Sequence, residues 1–191
     1  MKESISLAYL NESHISALAK IANNPKVSET SGVPLDCSEN DVREWLDENN
    51  NRSRNEITFV IMVNQKVAGC CILKKVDMDS RSAELAYWLG VDFWGRGIGT
   101  KAALTLRDMA FDLYNLDYLH SHFLKSSNGA SGGILTKLGF EADQSRADLP
   151  VEGRFTRFED DVWTFVILAR EKWQTIQASE WTIHSNQFTS R

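Results

Sequence analysis

FWGRGIGTKA, residues 93–102, is the stretch whose reading decides the fold of this chain. Before it, Ser82 to Leu89 reads as an extended run. After it, Gly97 to Tyr114 places Ile98, Ala102, Leu106, Met109, Ala110 and Leu113 along one helical face. A glycine-rich turn between a strand end and a helix start offers free backbone N–H groups and the positive end of a helix dipole. That combination suits a phosphate group. Glycines remove the side chains that would obstruct a close anionic approach, and Arg96 and Lys101 add positive charge nearby. A Walker A loop needs Lys directly after its last glycine, whereas Gly99 is followed by Thr100 and only then by Lys101. A dinucleotide fingerprint needs a third glycine where Thr100 stands, and a parallel strand-helix-strand start. A tight turn without a ligand stays open on spacing alone.

Working outward, Ile5 to Leu10 reads as a first strand, and Asn11 is placed to cap the helix carrying Ile15, Leu18, Ala19 and Ala22. Asn23-Asn24-Pro25 stops that helix, because proline disfavours helical geometry in the residue before it. Lys26 to Asp36, with Gly32 and Pro34, reads as a loop. Ser38 and Asp41 form a capping-box pattern that opens a helix over Glu39 to Asn49. Ile57 to Val63 and Lys66 to Val76 are β-rich and separated by Asn64-Gln65, a hairpin signal. With Ser82 to Leu89 they make an antiparallel meander. Tyr118 to Leu124 is a further strand, Ser131 to Leu138 a short helix, and Val162 to Leu168 a last strong strand after a charged loop, Asp148 to Asp160. No internal repeat or linker interrupts the chain. It reads as one α+β domain over residues 1–176, with residues 177–191 a C-terminal tail that shows little periodicity and has freedom to move.

At 191 residues the chain is long enough to bury a substantial core. Its net charge of -5 gives no electrostatic reason to expect nucleic-acid binding. No apolar run approaches the roughly 18–20 residues of a membrane span, and the N-terminus lacks the apolar core of a secretory signal. Three cysteines cannot all pair, and Cys70 and Cys71 are adjacent. Reduced packing thiols in a cytoplasmic protein are the simplest reading. Along their strand, Cys70 and Cys71 should face opposite sides of the sheet.

ELAYWLGVDFWGRGIGTKAALTLRDMAF and the later NGASGGILTKLGFEAD together resemble the GNAT superfamily of N-acetyltransferases, with most likeness to its ribosomal-protein N-terminal acetyltransferase branch. The family's pyrophosphate loop is matched at Gly97 and Gly99. Its first position holds Trp94 here. A second motif is matched at Asn128, Ser131 and Leu138-Gly139-Phe140. Asn24-Pro25-Lys26-Val27 and Asp161 to Trp173 also resemble that branch, so the likeness reaches to about residue 175.

The resemblance implies a mixed, mostly antiparallel sheet of about seven strands flanked by helices, with a splayed strand pair forming an acyl-CoA cleft. Acetyl-CoA is then the co-substrate and no metal is needed. Leu89 and Val91 would meet the pantetheine through their backbone, and N–H groups of Arg96, Gly97, Ile98, Gly99 and Thr100 would hold the diphosphate. Asn128 and Ser131 would approach the pantetheine arm or the thiol. Glycines 129, 132 and 133 either let the cofactor come close or serve close helix–sheet packing.

The implied reaction moves an acetyl group directly from the thioester to a primary amine, on a small molecule or a protein N-terminus, in a ternary complex. An alkylammonium with a pKa near 10 must lose a proton before it can attack. Glu84 is the candidate base, directly or through a water. Its strand face is shared with Ala86 and Trp88, and apolar neighbours raise a carboxyl pKa. The tyrosine that many members use toward the departing thiolate is replaced by Leu135, so Ser131 is the substitute. Tyr87 alternates to the opposite face and reads as core. His120 and His122 share a face, but no third ligand makes a metal site of them. Trp45 and the loop from Val27 to Asp36 fall where the family builds its acceptor site. Dimers are common in the family, so a homodimer is allowed. The second class of function is a non-catalytic acyl-CoA-binding regulatory or sensor protein.

Overall fold

The computed structural model describes residues 3–51, 55–146 and 163–188. The charged loop expected over Asp148 to Asp160 lies outside the described residues.

Strands β1 (Ile5–Tyr9), β2 (Ile57–Val63), β3 (Lys66–Asp77), β4 (Ser82–Leu89), β5 (Tyr118–Leu124), β6 (Glu141–Ala142) and β7 (Trp163–Ala169) build one sheet. Their order is β1-β2-β3-β4-β5-β7-β6. The β4–β5 pair is parallel and every other pair is antiparallel. The expected meander is β2-β3-β4. Its first turn falls on Asn64 and Gln65, both in the left-handed region with φ of 48° and 66°. That is the backbone a two-residue hairpin needs to match strand twist.

Among the described residues six helices flank the sheet: α1 (Ile15–Ala22), α2 (Pro25–Thr30), α3 (Glu39–Asn50), α4 (Ile98–Asp112), α5 (Gly129–Lys137) and α6 (Arg170–Phe188). The capping box at α3 is formed: the Asp41 N–H donates to Ser38 Oγ at 3.3 Å, and the Ser38 N–H donates to Asp41 Oδ2 at 2.8 Å. The loop expected over Lys26 to Asp36 begins instead as α2. Asn24 Oδ1 accepts the Lys26 N–H at 3.1 Å, and Pro25 occupies the first helical turn. The proline that ends α1 therefore starts α2, since its missing N–H is one that a helix start leaves unbonded anyway.

The helix α6 also runs through Gln177, where the sequence shows no amphipathic repeat. Trp173 stacks on Phe111 at 5.0 Å and Gln177 Nε2 donates to Asp108 Oδ1 at 3.1 Å, so tertiary contacts anchor its first turns.

Each sheet face carries its own core. Leu18, Val42, Leu46, Val60 and Cys70 pack under α1 and α3, while Ile61, Cys71, Leu73, Leu85, Leu106 and Leu119 pack under α4 and α5. Cys70 and Cys71 thus face opposite sides, and Cys37, Cys70 and Cys71 are all buried. A fully buried side chain of this size contributes about 1.5–3 kcal/mol. Arg107, only 1% exposed, joins the helices on one face by donating to the Leu138 carbonyl at 2.9 Å and pairing with Asp108 at 2.8 Å. Among the described residues no helix is long and apolar enough to cross a membrane.

Candidate active site

Strands β4 and β5 pair only at Ser82–Tyr118, Ala83–Leu119 and Glu84–His120, then separate. Where they part, the buried Ser121 hydroxyl donates to the Leu85 carbonyl at 2.8 Å. A side chain thereby satisfies a backbone acceptor that the ladder no longer reaches, as a buried carbonyl requires. The separation leaves a cavity of about 350 Å³, walled by β4 residues 85–88, β5 residues 121–124, Asn128, Ser131, Trp45 and residues 30–33. Trp45, expected near an acceptor, meets Trp88 edge-on at 6.2 Å.

Beyond Leu89 the chain leaves strand geometry. The Gly90 N–H bonds to the Ala68 carbonyl at 2.9 Å, and the Phe93 N–H to the Gly90 carbonyl at 2.9 Å, starting a 3-10 turn over Val91–Phe93. Val91 therefore lies in a 3-10 turn just past the end of β4. Its carbonyl accepts the Trp94 N–H at 3.1 Å, and that of Leu89 accepts Trp94 Nε1 at 2.8 Å.

Gly95 and Gly97 follow with φ of 70° and 71°, and among the described residues nothing lies within 4 Å of where either Cβ would stand and no side chain caps α4. Its first turn closes with the Lys101 N–H on the Gly97 carbonyl at 3.2 Å, so the N–H groups of Ile98, Gly99 and Thr100 have no intrahelical acceptor. This open, glycine-lined helix start fits a diphosphate. The Arg96 guanidinium is engaged elsewhere: it pairs with Glu3, donates to the Asp92 carbonyl at 2.9 Å and lies 5.5 Å over the Phe93 ring.

Glu84 lines the cavity with its side chain 12% exposed. Its neighbours are more polar than strand alternation suggests. Lys75 Nζ lies 4.0 Å from Oε2, and His122 Nδ1 lies 3.7 Å from Oε1. His122 also meets Trp163 at 5.1 Å, and its burial pushes its pKa below the ordinary value, outweighing the opposite pull of Glu84. His120 shares the face, and burial lowers its pKa too. Its Nδ1 lies 3.5 Å from Asp143 Oδ2, and neither buried atom has a hydrogen-bond partner among the described residues. No group of three His, Cys, Asp or Glu side chains among the described residues is arranged to hold a metal ion.

At the far wall Asn128 caps α5, accepting the Ser131 N–H at 3.2 Å and donating through Nδ2 to the Thr30 carbonyl at 2.7 Å. One side chain therefore ties the start of α5 to the end of α2. Gly132 packs against β5, since a Cβ there would stand 2.5 Å from the Phe123 ring, whereas Gly129 and Gly133 face open space. Close helix–sheet packing thus accounts for Gly132. Leu135 is buried in the core.

Tyr87 corrects the alternation argument. It packs against the core, but its hydroxyl lies 2.9 Å from Ser131 Oγ and 3.3 Å from the Ser131 carbonyl, and it lines the cavity along with Glu84. Alternation assigns two faces to a strand inside an intact sheet. Once β5 departs, the cavity wraps around the open edge of β4 and touches residues of both faces. The structure therefore brings Glu84, Asn128 and Ser131 to one cavity, while Leu89 ends β4 and Val91 and residues 96–100 lie past it. Sequence reasoning missed Ser121 and the cavity-facing role of Tyr87. A lone hydroxyl between two histidines on a strand was the available signal for Ser121.

A family model described as an acetyltransferase (GNAT) domain matches residues 5–141. Uncharacterized N-acetyltransferase p20 of Bacillus licheniformis is 28% identical over 118 residues, or 61% of this chain. The match spans 64% of that relative's length. Among solved structures, the spermidine N-acetyltransferase from Vibrio cholerae in complex with CoA and spermine superposes with a TM-score of 0.73 at 17% identity, covering 89% of this chain and 98% of that one. A probable acetyltransferase superposes with a TM-score of 0.70 at 21% identity, covering 88% and 94%. At these identities the likeness speaks to the fold.

Proposed function

The chain belongs to the acetyltransferase (GNAT) domain family, and from that premise we propose that it moves the acetyl group of acetyl-CoA directly to a primary amine, with both substrates bound together. The observation that carries this reading is the parting of β4 from β5 beside an uncapped, glycine-lined helix start. Acetyl-CoA supplies the activated acyl group. The N–H groups of Ile98, Gly99 and Thr100, exposed by Gly97, hold its diphosphate. Arg96 shapes that loop through Glu3 and Asp92. The free edge of β4 up to Leu89 receives the pantetheine, and Asn128 and Ser131 border its thiol end. Glu84 takes the amine proton, directly or through a water. Holding amine and thioester together is itself worth several kcal/mol of the barrier.

We place the acceptor among small cationic amines, because Glu48, Glu56 and Glu84 all line the cavity. The solved relatives named for spermidine agree with that class. A protein N-terminus, the acceptor of the ribosomal-protein branch, is the alternative. We also place the protein in the cytoplasm, where the buried thiols of Cys70 and Cys71 stay reduced.

The test is thiol release from acetyl-CoA against a panel of polyamines, aminoglycosides, amino acids and N-terminal peptides. Amine-dependent release supports the proposal, and the best amine names the acceptor class. Acetyl-CoA binding without release across the whole panel supports the sensor reading instead.

A further inference from the structure

Two hydroxyls from different elements meet at the inner end of the cleft. Tyr87 on β4 and Ser131 in the first turn of α5 are 44 residues apart in sequence, yet Oη and Oγ are 2.9 Å apart. Both line the cavity. Each hydroxyl has one proton; the Tyr87 O–H also reaches the Ser131 carbonyl at 3.3 Å, but Ser131 Oγ at 2.9 Å is the nearer acceptor.

Resting on the acetyl-transfer reading above, we propose that Tyr87 is a positioning residue: it donates to Ser131 Oγ and so turns the serine O–H toward the sulfur that leaves the thioester. This does the work that a tyrosine at position 135 cannot do here, where Leu135 is buried in the core.

The chemistry favours hydrogen bonding over proton donation by either hydroxyl. Burial pushes the Tyr87 phenol up to about 12, so it keeps its proton throughout the working pH range. As the N–C bond forms and the C–S bond breaks, sulfur leaves with the bonding pair and accepts the serine hydrogen bond. The ammonium nitrogen loses two protons, one before it attacks and one after the N–C bond forms. Glu84 passes each to solvent and the thiolate takes one back, so one proton is released per turnover and neither hydroxyl ends it ionised. A donor aimed at developing charge in a site shielded from water is typically worth 10²–10³ in rate, and one that only orients such a donor is worth less.

The deciding experiment needs no acceptor. Coenzyme A and its desulfo analogue are bound, by calorimetry, to the intact protein and to Tyr87→Phe at about pH 9.5, where a thiol of ordinary pKa near 8.5 is ionised. The proposal expects Tyr87→Phe to weaken coenzyme A about tenfold and the desulfo analogue less than twofold. Ser131→Ala should show the same selectivity, and the double variant should be no weaker than Ser131→Ala alone, because the two act in series. Equal weakening of both ligands, no weakening of either, or additive losses overturns it. Phenylalanine keeps the ring that packs against the core, and thermal unfolding checks that the fold is intact. With an active amine, Tyr87→Phe should lower kcat about tenfold at an unchanged acetyl-CoA KM. If the wild-type protein releases no thiol with any amine, the acetyl-transfer reading fails, while the ligand comparison still decides the role of the tyrosine.

Discussion

Glu84 stands 4.0 Å from Lys75 Nζ and 3.7 Å from Nδ1 of His122, whose proton affinity is lowered by its own burial. A carboxylate so placed can take a proton from an incoming ammonium and pass it to the cavity mouth. Glu84→Gln removes that capacity while keeping shape, and should lower kcat about a hundredfold, with the acetyl-CoA KM within about twofold. An unchanged kcat would remove Glu84 as the base.

The histidines give a second expectation at this scale. His14, His120 and His122 all have pKa values lowered from 6.5, in each case mainly by burial. The unfolded chain therefore binds protons at these sites in a range where the folded chain resists them. Their contribution to stability is intact above about pH 6.5 and is lost as pH falls below it toward the folded values. Thermal midpoints measured down a pH series should decline from about pH 6.5, and His122→Asn should make the decline shallower. Parallel curves would show that His122 carries none of it. That Glu84 and Ser131 lie at the cavity was legible in the sequence because each sits at a fixed offset from a recognisable motif. The placement of Tyr87 and Ser121 there was not, because it depends on where β5 leaves β4, and no residue pattern marks that point.

At the scale of elements, α5 shows how one composition serves two purposes. Gly132 is demanded by the Phe123 ring, while Gly133 faces open space. Gly132→Ala should destabilise the protein by about 1–3 kcal/mol through overpacking. Gly133→Ala should stabilise the unliganded fold by about 0.5–1 kcal/mol, the helix gain of alanine over glycine, and weaken coenzyme A if the pantetheine runs against this helix. Thermal unfolding with and without coenzyme A separates the two positions, and identical behaviour would refute the assignment. The same scale exposes the limits of pattern reading. Pro25 signals the end of α1 plainly, but its role as the start of α2 depends on Asn24 capping the next turn. The helix α6 was invisible to periodicity because contacts from Trp173 and Gln177, not an apolar stripe, hold its beginning.

For the whole molecule, the sheet is two halves joined by three parallel residue pairs, with Arg107 bridging the helices on one face. A ligand lying in the parting touches both halves and binds only the folded state. Coenzyme A at about a hundred times its Kd should add about 2.7 kcal/mol, a rise in Tm of roughly 5–10 °C for a chain of this size. No shift at saturating coenzyme A would argue against a cleft between the halves.

The Ser121–Leu85 bond has a bearing on solubility as well. An unpaired strand edge ordinarily invites another chain to add to it and seeds aggregation. Here the unpaired edge of β4 is indoors, facing β5 across a slot, and its first buried carbonyl is already occupied by Ser121. The outer margins of the sheet are β1, of five residues, and β6, of two. The protein can therefore keep one strand edge open for a small guest without offering it to another copy of itself.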